Sequence, residues 1–155
     1  SFEDGDIRRD ATLGFDIEGE ALNNKYDFGK VGNLWTFDYQ ILRFTDVQLL
    51  YAEALSMAAG SVQQQSLDLI NEVRNRAGLD DITMTDVPDL NTFVEAVLAE
   101  RRHEFVFEGK RYPDLKRHDL LVQKLNAIGY NFDESYNYLP IPQSEKDKVP
   151  EGLYD

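Results

Sequence analysis

The chain of 155 residues contains no cysteine, which excludes disulfides and thiolate metal sites but does not identify a compartment. It has no run of about 18 apolar residues, and so no helix that would span a membrane. Positive charge is scarce: 16 Lys and Arg stand against 29 Asp and Glu, a net charge of −13. That field repels a phosphate backbone, and no basic stripe offsets it locally, so nucleic acid is not an expected partner. Gly-x-Ser-x-Gly, phosphate-loop and dinucleotide fingerprints are all missing, and no cofactor is expected. An initiator Met and a signal-like apolar segment are missing too. The opening Ser1-Phe-Glu-Asp-Gly-Asp6 reads as a processed or excised piece of something longer.

What is present is the composition of a folded protein. Hydrophobic residues make up 42% of the chain, with 9 Phe, 8 Tyr and 1 Trp, and the length suits a single domain over residues 1–155. Residues 1–42 show no sustained helical period and read as an irregular lead-in, with alternation near Leu34 to Ile41 for one short extended segment. A lead-in of this length without a framework of its own is expected to pack against sequence beyond the chain. Within it, Asp4-Gly-Asp6 starts like a calcium loop, but the ladder of oxygen ligands stops there and leaves an acidic turn. Trp35, Tyr26 and Tyr39, with Phe37, are the candidate ligand-binding residues. Their rings either form a stacking platform for a sugar or seat the loop on the helices.

Two helix pairs follow. In the first, over residues 43–78, Thr45-x-x-Gln48 and Ser61-x-x-Gln64 match the capping-box pattern. Val47, Leu50, Tyr51, Ala54 and Ala58 form the apolar face of one helix, and Val62, Leu69, Ile70, Val73 and Ala77 that of the other. Gly60 and Gly78 act as stops, and the short link forces an antiparallel hairpin in which Ala52, Ala54, Ala58 and Ala59 let the backbones approach. An acidic loop leads to the second pair, over residues 91–128, where Thr92-x-x-Glu95 repeats the box and the third helix runs to Gly109. A fourth helix starts near Pro113 and carries Leu115, Val122 and Leu125. The tail, 129–155, is extended at Leu139-Pro-Ile-Pro142, with Leu139 and Ile141 apolar enough to tuck against the helices and Ser144 placed to cap a last turn. The fold class is therefore all-α: tetratricopeptide-like antiparallel pairs with long ordered loops. The strict 34-residue signature is not met, because Thr45 and Thr92 lie 47 positions apart.

Chemistry concentrates in Ala99 to Arg117, where eleven of nineteen residues are Glu, Asp, Lys, Arg or His. Val94, Val97, Leu98, Phe105 and Glu108 share one register with Arg101, so Arg101 and Glu108 are expected to be partly buried and paired, with Glu104 in reach of Arg101. Phe93, Ala96, Glu100 and Phe107 line a neighbouring face. The reading is a structural ionic clasp of Glu100, Arg101, Glu104, Glu108, Arg111, Asp114 and Arg117. Glu100-x-x-His103 has the spacing of a di-iron ligand pair, but such a site needs a second copy of the motif and further inward carboxylates. No metal is expected, and His103 reads as a surface residue. Glu100, Glu104 and Glu108 sit about 6 Å apart on successive turns, beside cations that lower carboxylate pKa values. That is the wrong arrangement for the acid and base of a glycoside hydrolase, and no catalytic residue is assigned.

Four ordered motifs carry a family resemblance: Arg43-Phe-Thr-Asp-Val-Gln-Leu-Leu-Tyr-Ala-Glu-Ala-Leu55; Ile70-Asn-Glu-Val-Arg-Asn-Arg-Ala-Gly78; Glu100-Arg-Arg-x-Glu-Phe-x-Phe-Glu-Gly109 with Arg111, Asp114-Leu115 and Arg117; and Leu139-Pro-Ile-Pro142 with Glu145. Together they resemble the C-terminal region of SusD/RagB proteins. The finish Glu151-Gly-Leu-Tyr-Asp155 departs from the Asn-Pro-Gly-Tyr-like end of that family. The resemblance implies a Bacteroidetes outer-membrane, surface-facing lipoprotein that is not an enzyme. It would bind nutrient, commonly an oligosaccharide, and deliver it to a SusC-like TonB-dependent transporter. It also implies a longer protein of which this is a C-terminal fragment, touching the membrane only through a lipid anchor absent from this chain. The alternative is a tetratricopeptide-like protein-interaction module unrelated to nutrient uptake.

Overall fold

The computed structural model describes residues 2–26, 30–31, 34–35 and 40–149. They are mostly helical, and they fall into two compact units, Ser1–Arg111 and Tyr112–Asp155. The lead-in holds more regular structure than its sequence suggests. A short helix α1 (Arg8–Thr12) runs into strand β1 (Leu13–Phe15), which pairs antiparallel with β2 (Ala21–Asn23). A second small ladder joins β3 (Lys30–Val31) to β4 (Leu34–Trp35).

The core of the first unit lies where α2 (Phe44–Ala59), α3 (Gln64–Arg76) and α4 (Leu90–Glu104) meet, around Leu49, Leu67, Ile70, Phe93 and Val97. The hairpin of α2 and α3 closes at Gly60, whose φ of 70° takes the left-handed turn a glycine reaches without a Cβ clash. Ala52 is fully buried, while Ala54, Ala58 and Ala59 are exposed, so the close crossing is made differently from the alanine contact expected. There Ser56 donates to Ser66 (2.8 Å) and accepts from the backbone N–H of Gln63 (3.0 Å), with both serines fully buried.

Neither capping box of the first pair forms. Helix α2 starts at Phe44, and the Gln48 amide turns to the Leu69 carbonyl (3.0 Å) and Glu72 (2.6 Å) of α3 instead of its own N-terminus. Helix α3 starts at Gln64, with Ser61 holding the Gln63 side chain. The box of α4 lies three residues upstream of the expected one. Asp89 accepts from the Thr92 N–H (2.9 Å), and the Thr92 hydroxyl accepts from the Asp89 N–H (3.2 Å). The loop before it is tied down by Asn71, which donates to the Ile82 carbonyl and accepts its N–H, both at 2.9 Å.

The face of α3 holds the expected Ile70, Val73 and Ala77, but the face of α2 is inverted. Thr45, Asp46, Gln48, Leu49, Ala52, Glu53 and Ser56 are the buried set, whereas Val47, Leu50 and Tyr51 are 51%, 38% and 49% exposed. Periodicity located an apolar stripe on α2 correctly, but the described residues cover the opposite, polar side.

Helix α4 ends at Glu104, earlier than Gly109, and a turn follows in which Phe107 adopts a φ of 65° and Gly109 one of 70°. The fourth helix is two pieces, α5 (Arg111–Arg117) and α6 (Leu121–Asn126). Asp119 at a φ of 55° breaks them, with the Leu120 N–H returning to the Leu115 carbonyl (2.9 Å) in a Schellman closure. Asn126 then clamps Phe132 through both backbone groups, at 2.9 and 2.7 Å. After a 3₁₀ turn at Glu134–Asn137 the chain runs extended to α7 (Gln143–Lys146), which starts one residue ahead of Ser144. Leu139 is 79% exposed and Ile141 39%, so neither is tucked away among the described residues.

Candidate functional site

Helix α4 brings Glu100 and Glu104 to one side, and the turn after it adds Glu108; all three carboxylates are buried. Buried carboxylates need cations, and these come from the lead-in and from the helix pair. Arg8 of α1 bridges Glu100 and Glu104 (3.2 Å to the latter) while holding Asp6 at 2.7 Å. Arg43, just ahead of α2, spans Glu104 (2.9 Å) and Glu108 (2.8 Å). Arg76 reaches Glu104 at 2.7 Å, and Arg74 lies 2.8 Å from Glu3 and 3.5 Å from Glu100. Lys25 pairs with Glu108 and donates to the Glu104 carbonyl at 2.6 Å.

A second cluster lies beside the first. Arg101 pairs with Asp46 (2.8 Å), and Lys110 reaches the other Asp46 oxygen at 2.7 Å. The ring of Phe105 joins the two, with the Arg43 and Arg101 guanidiniums 4.7 and 5.0 Å from its centroid. Arg111 donates to the Leu98 carbonyl at 3.1 Å, whereas Asp114 and Arg117 pair with each other at 3.2 Å in the second unit.

Electrostatics follow from this geometry. Burial raises the pKa of Glu104, but the Arg43 hydrogen bond and the charges of Arg76 and Arg43 outweigh it and hold the carboxyl below its usual range. For Asp46 the opposing terms are burial and the hydrogen bonds from Lys110 and Arg101, and again the ionised form wins. Asp6 behaves alike, with burial outweighed by Arg8. Carboxylates held ionised in this way are poor proton donors. Glu100 and His103 diverge: Glu100 faces Arg8 and Arg74, while His103, buried rather than on the surface, stacks on Phe2 at 5.0 Å. A cavity of about 170 Å³ lies beside the cluster, lined by Arg8, Lys25, Arg43 and Arg76 among others. It is small against the roughly 300–1,000 Å³ of a typical ligand pocket.

Of the aromatic candidates, Tyr26 is half-buried and directly follows the anchored Lys25. Trp35 is described as a backbone position paired with Lys30 in β4, and Tyr39 lies outside the described residues. Sequence reasoning missed Asp6, Arg8, Lys25, Arg43, Asp46, Arg74, Arg76 and Lys110 as members of the ionic clusters. The motifs containing Arg43 and Arg74-Asn-Arg76 were the available signal for three of the cations.

The family model for the SusD family matches residues 20–154. The chain belongs to the SusD family. SusD-like protein P2 of Formosa agariphila is 30% identical over an alignment of 128 residues that covers 76% of this chain and 25% of that protein. SusD-like protein P38 of the same organism is 29% identical over 94 residues, 57% of the chain and 18% of its own length. Among solved structures, the surface glycan-binding protein A from Bacteroides uniformis matches with a TM-score of 0.69 and 28% identity, over 96% of this chain and 37% of that one. The SusD-like chain thus spans about a quarter of the length of the first curated relative.

Proposed function

We propose that this SusD-like chain forms part of a non-catalytic protein that binds a nutrient glycan and delivers it to a SusC-like TonB-dependent transporter at the outer membrane. The observation that carries the reading is the likeness, over 96% of the chain, to a solved protein named for surface glycan binding. Two features of the site support it. Glu104, Asp46 and Asp6 are held ionised by the cations around them, which suits a scaffold and not a glycosidase acid. The same clasp anchors Lys25, next to Tyr26, through the Glu104 carbonyl and Glu108, so the ion pairs steady the start of the aromatic segment. On this reading Trp35, Tyr26 and Tyr39 contact sugar, and the lipid anchor that places the protein on the cell surface lies outside these residues.

The test is a glycan array on the product of the whole gene, followed by titration of the best ligand. Trp35→Ala and Tyr39→Ala should each weaken binding at least about tenfold, as loss of a stacking ring does. Turnover of the bound oligosaccharide that Glu104→Gln abolishes would overturn the non-catalytic reading. Binding unaffected by either aromatic substitution would remove these residues from the site.

A further inference from the structure

Arg43 and Arg101 lie over the buried ring of Phe105, and each has a carboxylate of this chain as its counter-ion. Lys116 is placed differently. On α5 it follows Tyr112 by one helical turn, and the 3₁₀ turn at Glu134–Asn137 brings Tyr138 to it from the tail, so its ammonium stands 6.0 Å from the centre of the first ring and 5.6 Å from that of the second. No carboxylate among the described residues is paired with Lys116, and neither tyrosine hydroxyl has a hydrogen-bond partner among them. Asp114 is taken by Arg117, Asp133 by Ser135 and Glu134 by Asn137, and Asp119, three residues beyond Lys116, is not paired with it. A lysine stem that merely covered its neighbours would leave the rings buried, but Tyr138 is 76% exposed and Tyr112 38%. The cation on its rings is thus built as in the clasp, with the anion left out.

We propose that Tyr112, Lys116 and Tyr138 form a binding site for an acidic glycan, whose anionic sugar, a uronate or a sulfate ester, supplies the counter-ion that Lys116 lacks. The parts divide the work. A tyrosine face takes the apolar C–H side of a pyranose, and its hydroxyl is free to bond the sugar's own hydroxyls. The ammonium is a point charge with three rotatable donors, so it accepts a carboxylate or a sulfate without the fixed geometry a guanidinium demands. Position is set before any ligand arrives: α5 fixes Tyr112 and Lys116 one turn apart, and Asp133 caps the turn that presents Tyr138. In a chain of net charge −13, an anionic polysaccharide is admitted only where a cation is left uncompensated, which gives this site its selectivity. The site is additional to the aromatic candidates of the lead-in, and the inference rests on the glycan reading, which it narrows to a charged class of sugar.

Calorimetric titration of the product of the whole gene tests it with two matched pairs: trigalacturonate against its methyl ester, and a sulfated galactan oligosaccharide against its desulfated form. In at least one pair the charged sugar should bind at least about tenfold more tightly, because a charge-assisted contact goes with the anion. The pair that shows the preference identifies the anion. Lys116→Gln should abolish the preference and Lys116→Arg should keep it, while Tyr138→Ala should weaken charged and neutral forms alike, by at least about fivefold. Each variant should melt within about 2 °C of the parent, since the substituted side chains are exposed, so lost binding is not lost folding. Equal affinity within both pairs, or a preference that survives Lys116→Gln, would overturn the inference. If neutral glycans still bind through Trp35 in that case, the glycan reading stands without it; a protein that binds no glycan at all overturns both.

Discussion

The two sides of α2 differ in a way that ordinary helix amphipathicity does not describe. One carries a carboxylate, an amide and hydroxyls into the interior beside Leu49 and Ala52, and the other presents phenylalanine, valine and tyrosine outward. Asp46 and Val47 are neighbours in sequence and lie on opposite sides, 3% and 51% exposed. The lesson is that burial in this chain is organised by paired charge as much as by apolar area. A buried ion stabilises little in itself, but removal of its partner is costly because the remaining charge stays desolvated. The inner side of α2 is therefore the side on which this chain depends for its own folding.

That contrast is broken most strongly at Asp46. Asp46→Ala removes the carboxylate shared by buried Arg101 and Lys110 and should cost about 3–5 kcal/mol in urea unfolding of the 155-residue chain. A loss below about 1 kcal/mol would show that the inner face is held by apolar packing alone. Glu104→Gln keeps the shape but removes the charge shared by Arg8, Arg43 and Arg76, and should cost about 2 kcal/mol by the same measurement. The pH profile sharpens the point. Asp6, Asp46 and Glu104 titrate lower in the folded chain than their ordinary values of 3.8, 3.8 and 4.5. Their contribution is present above those values and is lost as pH falls through the depressed folded pKa values. Thermal unfolding should hold steady from pH 7 to about 5 and drop steeply below about 4; a flat profile down to about pH 3 contradicts the assignment. Ser56→Ala removes the hydroxyl joining Ser66 to the Gln63 N–H and should cost about 1–2 kcal/mol, read from the same denaturation curves.

Much of the scaffold was legible in the sequence, for physical reasons that also mark where legibility stopped. Gly60 and Gly78 ended their helices because left-handed closures suit glycine, and the Ile70, Val73 and Ala77 face of α3 followed from a helical period. The register of α4 placed Arg101 in the interior, where it is 3% exposed; Glu108 is buried too, at 4%, but from the turn after the helix and not from its register. The partners of those charges were not legible. Arg8 lies 92 and 96 positions from Glu100 and Glu104, and Lys25 lies 79 from the Glu104 carbonyl it binds, and no local spacing encodes such a meeting. The expected capping boxes gave way to other partners: the Gln48 amide found a carbonyl and a carboxylate on α3, and the box of α4 formed between Asp89 and Thr92. The α2 stripe is the most instructive difference. Periodicity reports which side of a helix is apolar, but not whether the same 155 residues cover it.

The most direct measurement places Asp in the stripe of the 155-residue chain, next to the residue whose loss is most damaging. Val47→Asp, unfolded in urea beside Asp46→Ala, should shift stability by less than about 0.5 kcal/mol, an effect several times smaller than that of its neighbour. A loss of about 2 kcal/mol or more at Val47 would show the apolar side packed within this chain and would contradict the account.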